Sequence, residues 1–294
     1  MGWAWRNMLG ICLAATAALE ARAEPMSAGP WAARSVPVVA SPSSIGGPAA
    51  GCLVGAVALQ GDTPGLQVLR PQRNRFWGHP RLVAYLKQLG QEAVERKLAP
   101  LLVGDMSQPR GGPMAFGHGS HQNGLDADIW FRLPNHWLSP AEQDDPVAVS
   151  MVAGRTIDPR RWSRAQLSLL EMAASSAEVD RIFVNPAIKA AACKAFKAKV
   201  AAGQAEWLGK LRPWWGHDEH FHIRLSCTLG DGNCQSQKPP PPGDGCGDEL
   251  ASWLDKSTVL PANGRDQPNP RRPDLPGACT AVLAQPDQRE ARMR

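Results

Sequence analysis

The chain reads as an α+β protein: a small, mostly antiparallel sheet flanked by helices, with irregular N- and C-terminal segments. Three observations point there. Stretches of strand length alternate polar and apolar residues, longer stretches repeat apolar residues at helical spacing, and the two ends are rich in proline and small residues.

The elements follow in order. Arg6 precedes an apolar run from Met8 to Leu19, and Ala21-Arg22-Ala23 fits a small-x-small cleavage site, so residues 1–23 are expected to be a signal peptide. The run is shorter than the ~20 residues that a membrane-spanning helix needs. The mature chain is therefore expected outside the cytoplasm and without a membrane span. Residues 24–50, rich in Pro, Ala, Ser and Gly, read as an extended arm. His79 to Leu98 spaces Leu82, Val83, Leu86, Leu89 and Val94 along one helical face. Leu101 to Val103 is a short apolar strand, and Leu125 to Phe131 a strand with Asp126 and Asp128 on one face and Ala127 and Ile129 on the other. Ser163 and Gln166 form a capping box that opens a helix to about Ser175. Arg181 to Val184 is a further strand, and Pro186 begins a helix expected to reach about Ala202. Glu219 to Ser226 alternates as a strand does. Pro239 to Pro242 can continue neither helix nor strand. The working domain is expected over residues 51–254, with a polar, proline-rich tail over 255–294.

The net charge of +5 is spread without a run of Lys or Arg, which speaks against nucleic acid as a partner. Of seven cysteines, Cys12 lies in the leader. The remaining six, Cys52, Cys193, Cys227, Cys234, Cys246 and Cys279, suit three disulfides in an exported chain, and spacing alone does not choose the pairing. None forms a C-x-x-C, so a cysteine metal site is not expected.

Five of the seven histidines fall in two groups: His118 with His121, and His217 with His220 and His222. The first lies in a glycine-punctuated loop that leads into a strand, with Asp128 seven residues after His121. In the second, His220 and His222 project from one face of a strand, roughly 7 Å apart, while Phe221 points to the core. Catalytic zinc typically takes three protein ligands of nitrogen and oxygen and leaves one position open. His121, Asp128 and His222 would supply that set, and His220 would stand beside the metal with its imidazole free for proton transfer. Asp126 is read as orienting the loop or a ligand histidine. No H-E-x-x-H, G-x-S-x-G, S-x-x-K, P-loop or dinucleotide-binding glycine motif is present. Trp214 and Trp215 could stack on a sugar, but packing is the expected role.

These residues resemble a known family. His121 to Asp128 matches H-x6-D, and His220-Phe221-His222 matches the H-x-H of zinc peptidases related to lysostaphin and the D-Ala-D-Ala metallopeptidases. Further matches narrow this to the penicillin-insensitive murein endopeptidases: Ser44-Ile45-Gly46, Gly51-Cys52-Leu53, Phe76 to Pro80, Gly104-Asp105-Met106, Arg181 to Lys189, Arg212-Pro213-Trp214 and Gly243 to Gly247. The resemblance spans roughly residues 42–282. It implies a periplasmic zinc (Zn2+) endopeptidase of a Gram-negative cell that cuts D-alanyl–meso-diaminopimelyl cross-links between the stem peptides of peptidoglycan. It also implies His118 as a further histidine at the metal, and His217 and His220 as active-site histidines that are not main ligands. The implied pairing of the cysteines is Cys52–Cys279, Cys193–Cys246 and Cys227–Cys234. A zinc D,D-carboxypeptidase and a non-catalytic murein-binding protein are the alternatives. Some relatives carry a second metal bound by an Asp and a His lying between the two clusters, but Trp137 to Lys210 contains no histidine, so a second metal of that kind is not expected.

Overall fold

The structure, a computed structural model, describes residues 27–59, 63–98, 100–228, 230–255 and 274–287. The leader expected over residues 1–23 and most of the proline-rich tail lie outside the described residues. No described helix is long and apolar enough to cross a membrane.

An N-terminal hairpin pairs β1 (Ser43–Gly47) with β2 (Ala50–Val54). The central sheet is built from β3 (Leu66–Val68), β4 (Leu101–Val103), β5 (Asp126–Trp130), β6 (Val179–Val184), β7 (Leu211–Pro213) and β8 (His220–Leu225), in the order β7-β6-β8-β5-β4-β3. The three inner pairings are antiparallel, whereas the edge strands β7 and β3 run parallel to β6 and β4. The expected small, mostly antiparallel sheet with flanking helices is therefore present.

Alternation along the inner strands gives the sheet two unlike faces. Ala127 and Ile129 of β5, Phe221 and Ile223 of β8, and Ile182 and Val184 of β6 join Leu82, Leu86, Leu89, Leu169 and Leu170 in one apolar core. Phe221 has no exposed surface, and burying a ring of that size contributes up to about 3 kcal/mol. The residues between them, Asp126, Asp128, His220, His222 and Arg224, form the opposite face.

Two helices supply the leucines of that core, and both begin at caps. In α1 (Pro80–Glu95), the His79 side chain accepts the Arg81 N–H and proline opens the first turn. The helix stops short of the expected Leu98 because Lys97 turns into the left-handed region, at φ 57°. In α2 (Arg164–Ser175), both bonds of the Ser163–Gln166 capping box form. A third helix, α3 (Pro186–Ala195), is capped by Asn185 and ends at Phe196, whose φ −103° and ψ 19° are not helical, so the expected helix to Ala202 is split and a single turn follows over Lys197–Ala201.

Two short helices, α4 (Asp248–Leu254) and α5 (Gly277–Ala284), complete the described chain. The bridges are Cys52–Cys279, Cys193–Cys246 and Cys227–Cys234, the pairing that the resemblance implied. Cys52–Cys279 fastens α5 to the hairpin around a small core of Trp31, Ile45 and Val282. Arg110, only 1 % exposed, adds a second clasp: it donates to the carbonyls of Val36, Val282, Leu283 and Gln285 and pairs with Asp287 at 2.5 Å. Because Cys52–Cys279 closes a loop of 227 residues, replacing both cysteines by serine is expected to lower stability by about 2–5 kcal/mol, read as a fall in the urea midpoint.

Candidate metal centre

The β5–β8 register places His222 opposite Asp128 and Arg224 opposite Asp126. A period of two then puts all four side chains on the polar face. His121 reaches them from the loop before β5, and the hairpin holds that loop from behind. Gln122 donates through its side chain to Ala49 O and Gly119 O and through its backbone to Pro48 O. Ser44 Oγ donates to Asn123 O, and Asn123 donates to Gly46 O. The loop turns tightly enough to put His121 at φ 67°, a conformation uncommon for a non-glycine residue and characteristic of functional sites.

The result is one carboxylate encircled by imidazoles. Asp128 Oδ1 lies 3.4 Å from His121 Nε2 and 3.6 Å from His222 Nδ1. Its Oδ2 lies 3.6 Å from His118 Nε2 and 3.7 Å from His220 Nε2. The ring of His121 stands 4.4 Å from that of His118 and 4.4 Å from that of His222. Donor atoms of His118, His121 and Asp128 converge closely enough to hold one metal ion, as do those of His121, Asp126 and His222.

Hydrogen bonding tests whether these residues suit a cation. His121 Nδ1 and Nε2, Asp128 Oδ1 and His222 Nε2 are buried polar atoms without a hydrogen-bond partner. A buried polar atom left unpaired costs about 1–3 kcal/mol. Several together in one place, all nitrogen and carboxylate oxygen, form a donor set that a divalent cation would satisfy.

Asp126 plays a different part. It has no exposed surface and takes Arg224 side-on, Nε to Oδ1 at 2.8 Å and Nη2 to Oδ2 at 2.7 Å. Its Oδ2 also accepts the backbone N–H of His121 at 3.1 Å. His222 Nε2 lies 3.1 Å from that same oxygen, close but out of line for a hydrogen bond, while Nδ1 faces Asp128. Asp126 thus stands behind both histidines. Burial pushes its carboxyl up, but Arg224 and His222 outweigh burial and hold it well below the usual carboxylate range. Asp128 is likewise held well below that range, because His220, His121 and His118 together outweigh burial. Burial opposes charge on His121, yet Asp128, Asp126 and Asp105 raise its pKa. Burial lowers His222 to about 4 and, with His220 and His222 nearby, His217 to about 3, so both rings are neutral at physiological pH.

His217 and His220 sit at the rim with ring centroids 5.2 Å apart. His217 Nδ1 lies 3.2 Å from Trp215 O, and the residue adopts φ 49°. Phe183 of β6 stands edge-on to His222 at 5.3 Å and to Trp214 at 5.9 Å. The buried packing expected for the tryptophan pair does not hold for Trp214, which lies against Phe183 and Trp253 but is 54 % exposed. All six histidine and aspartate residues singled out as metal-binding or catalytic, His118, His121, Asp128, His217, His220 and His222, therefore meet at this face. Arg224, Phe183 and Asp105 also build it and were not assigned a role from sequence. Arg224 follows His222 by two residues, so strand alternation alone would have put it beside the site.

Comparison with known proteins agrees. Residues 44–284 match the family model described as penicillin-insensitive murein endopeptidase. A penicillin-insensitive murein endopeptidase of Yersinia enterocolitica is 41 % identical over 273 residues, covering 92 % of this chain and 96 % of the relative. One of Klebsiella pneumoniae is 41 % identical over 269 residues, 90 % of this chain and 95 % of the relative, and one of Salmonella paratyphi C is 41 % identical over 261 residues, 88 % and 92 %. A single family model over nearly the whole described chain, with relatives of this similarity, leaves one assignment: the chain belongs to the penicillin-insensitive murein endopeptidase family.

Proposed function

We propose that the chain is a periplasmic zinc endopeptidase that hydrolyses D-alanyl–meso-diaminopimelyl cross-links in peptidoglycan. The observation that carries this reading is the presence of unpartnered buried donor atoms on His121, Asp128 and His222 in a member of this family, with His222 turning Nδ1 to Asp128 and its unpartnered Nε2 to Asp126. Two imidazoles and one carboxylate are a donor set that suits zinc and leaves a coordination position for substrate. His118 stands at the same carboxylate as a further candidate ligand. Export is supported by three disulfides, which persist in oxidising compartments.

Zinc, when bound, supplies a Lewis acid that acidifies water and polarises the scissile carbonyl. The chain's own groups do the rest. His220, whose side chain is one-quarter exposed beside Asp128, is placed to take a proton and pass it to the leaving amine. His217, held neutral with its proton on Nδ1 toward Trp215 O, keeps Nε2 as a hydrogen-bond acceptor and assists by orienting the water or substrate proton at the rim. Asp126 and Arg224 keep His121 and His222 in place.

Digestion of purified sacculi tests the reading. Cross-linked muropeptide dimers should fall to monomers, chelator should stop the conversion, added zinc should restore it, and penicillin should leave it unchanged. Release of terminal D-alanine alone would make the protein a carboxypeptidase. Binding to sacculi without any cleavage would make it a murein-binding protein.

A further inference from the structure

Asp105 belongs to neither histidine cluster, yet the backbone brings it to the site. Gly104 and Asp105 continue β4 past Val103, and the ladder to β5 continues with them. Gly104 N–H donates to Asp128 O at 2.8 Å, and Asp128 N–H donates to Asp105 O at 3.1 Å. On the other side, Met106 N–H donates to Arg75 O at 2.6 Å. Arg75, Asp105 and Asp128 therefore lie side by side on neighbouring stretches of chain.

The side chains use that placement. Asp105 is only 7 % exposed, and its Oδ2 meets Arg75 Nη1 at 2.9 Å, His118 Nε2 at 3.0 Å and Arg73 Nη1 at 3.3 Å. Arg75 is fixed in turn: it is only 6 % exposed, and its guanidinium carbon lies 4.2 Å from the ring centre of Phe116, two residues before His118. The surrounding loop, Ala115 to Ser120, is largely exposed. An imidazole on such a loop has rotamers to lose before it can meet a metal. His118 Nε2 faces the carboxylates of both Asp105 and Asp128, and the two hold the ring in one orientation. Asp105 and Arg75 thus form a second buried carboxylate–guanidinium pair beside Asp128, but unlike His222, which turns Nε2 to Asp126 and Nδ1 to Asp128, His118 presents the same Nε2 to both carboxylates.

We propose that Asp105, braced by Arg75, is a positioning residue for the metal centre and acts through His118. The inference rests on the zinc reading above, and zinc affinity separates the two. The dissociation constant of the full chain is measured by competition with a chromophoric chelator, and the visible spectrum of the cobalt-substituted protein is recorded. Asp105→Asn should weaken zinc binding by about 10–100-fold, the usual effect of removing a group that orients a ligand, and should shift the cobalt bands. In a His118→Ala background the same change should alter affinity by less than about 2-fold, the range within which uncoupled effects scatter. Unchanged affinity in Asp105→Asn, or an equal loss with and without His118, would overturn the inference. If Asp105→Asn does not fold by near-ultraviolet circular dichroism, Arg75→Lys carries the same pair of measurements with the same expectations. A wild-type chain that takes up no zinc would remove both readings, whereas wild-type uptake with an indifferent Asp105→Asn would remove this one alone.

Discussion

Asp128→Ala is expected to abolish metal uptake and peptidoglycan cleavage together. The reason lies in how many groups depend on that carboxylate. One oxygen serves His121 and His222, and the other faces His118 and His220, all within 3.4 to 3.7 Å. Removing it leaves the imidazoles without the carboxylate between them, so the site loses its proposed anionic ligand and the counter-charge nearest to four histidines. Lewis-acid stabilisation of an oxyanion is worth several kcal/mol, and each ~1.4 kcal/mol is tenfold in rate, so a loss of at least about 10³-fold follows. His121→Ala should do the same. His220→Ala should behave differently: it removes a proton carrier and leaves the three proposed ligands, so zinc should stay bound while the rate falls by about 10²–10⁴-fold. Metal content by emission spectroscopy and muropeptide turnover on the same samples distinguish the two outcomes. Stoichiometric zinc in Asp128→Ala would refute the ligand assignment, and full turnover in His220→Ala would refute the proton-transfer role.

The parts of this site that follow from local periodicity were legible in the sequence. Alternation in Asp126 to Ile129 and in His220 to Ile223 correctly separates the polar face from the core, because each of those strands is long enough to show a period of two. Helix starts were legible too, since Ser163 with Gln166 and proline at the first turn act within a few residues of themselves. Elements stabilised by neighbours distant in sequence were not. Strands β3 and β7 have three residues each, too few to show a pattern, and β3 carries a buried Gln67 that is satisfied only by the backbone of Leu138. The hairpin strands are rich in glycine, serine and alanine, which read as a loose arm. The turn tolerates this because Gly46 sits at φ 70°, where a side-chain carbon would come within 2.3 Å of Ala50 O. The approach of Asp105 to His118 is a matter of sheet order and could not be read from spacing.

Arg224→Met carries the largest expected effect on stability. Arg224 is 6 % exposed, and methionine keeps its apolar stem while removing the charge that Asp126 was built against. Fully buried Asp126 would keep the His121 N–H and the nearby His222 ring, which together do not replace a two-pronged guanidinium. Removing one partner of a buried ion pair typically costs about 3–5 kcal/mol, most of it the unpaired charge left behind. The pH dependence identifies that cause. In the wild type the folded pKa of Asp126 is depressed, so its contribution to stability is present above the unfolded value near 4 and is lost only as pH falls through the lower folded value. Without Arg224 the contribution is absent, and the carboxyl escapes its penalty by taking a proton. The gap between wild type and variant should therefore be widest at neutral pH and narrow toward pH 3, as read from urea unfolding of the metal-free proteins. A gap that stays constant with pH would mean that the loss is one of packing against Phe183 and Gln237 and not of charge.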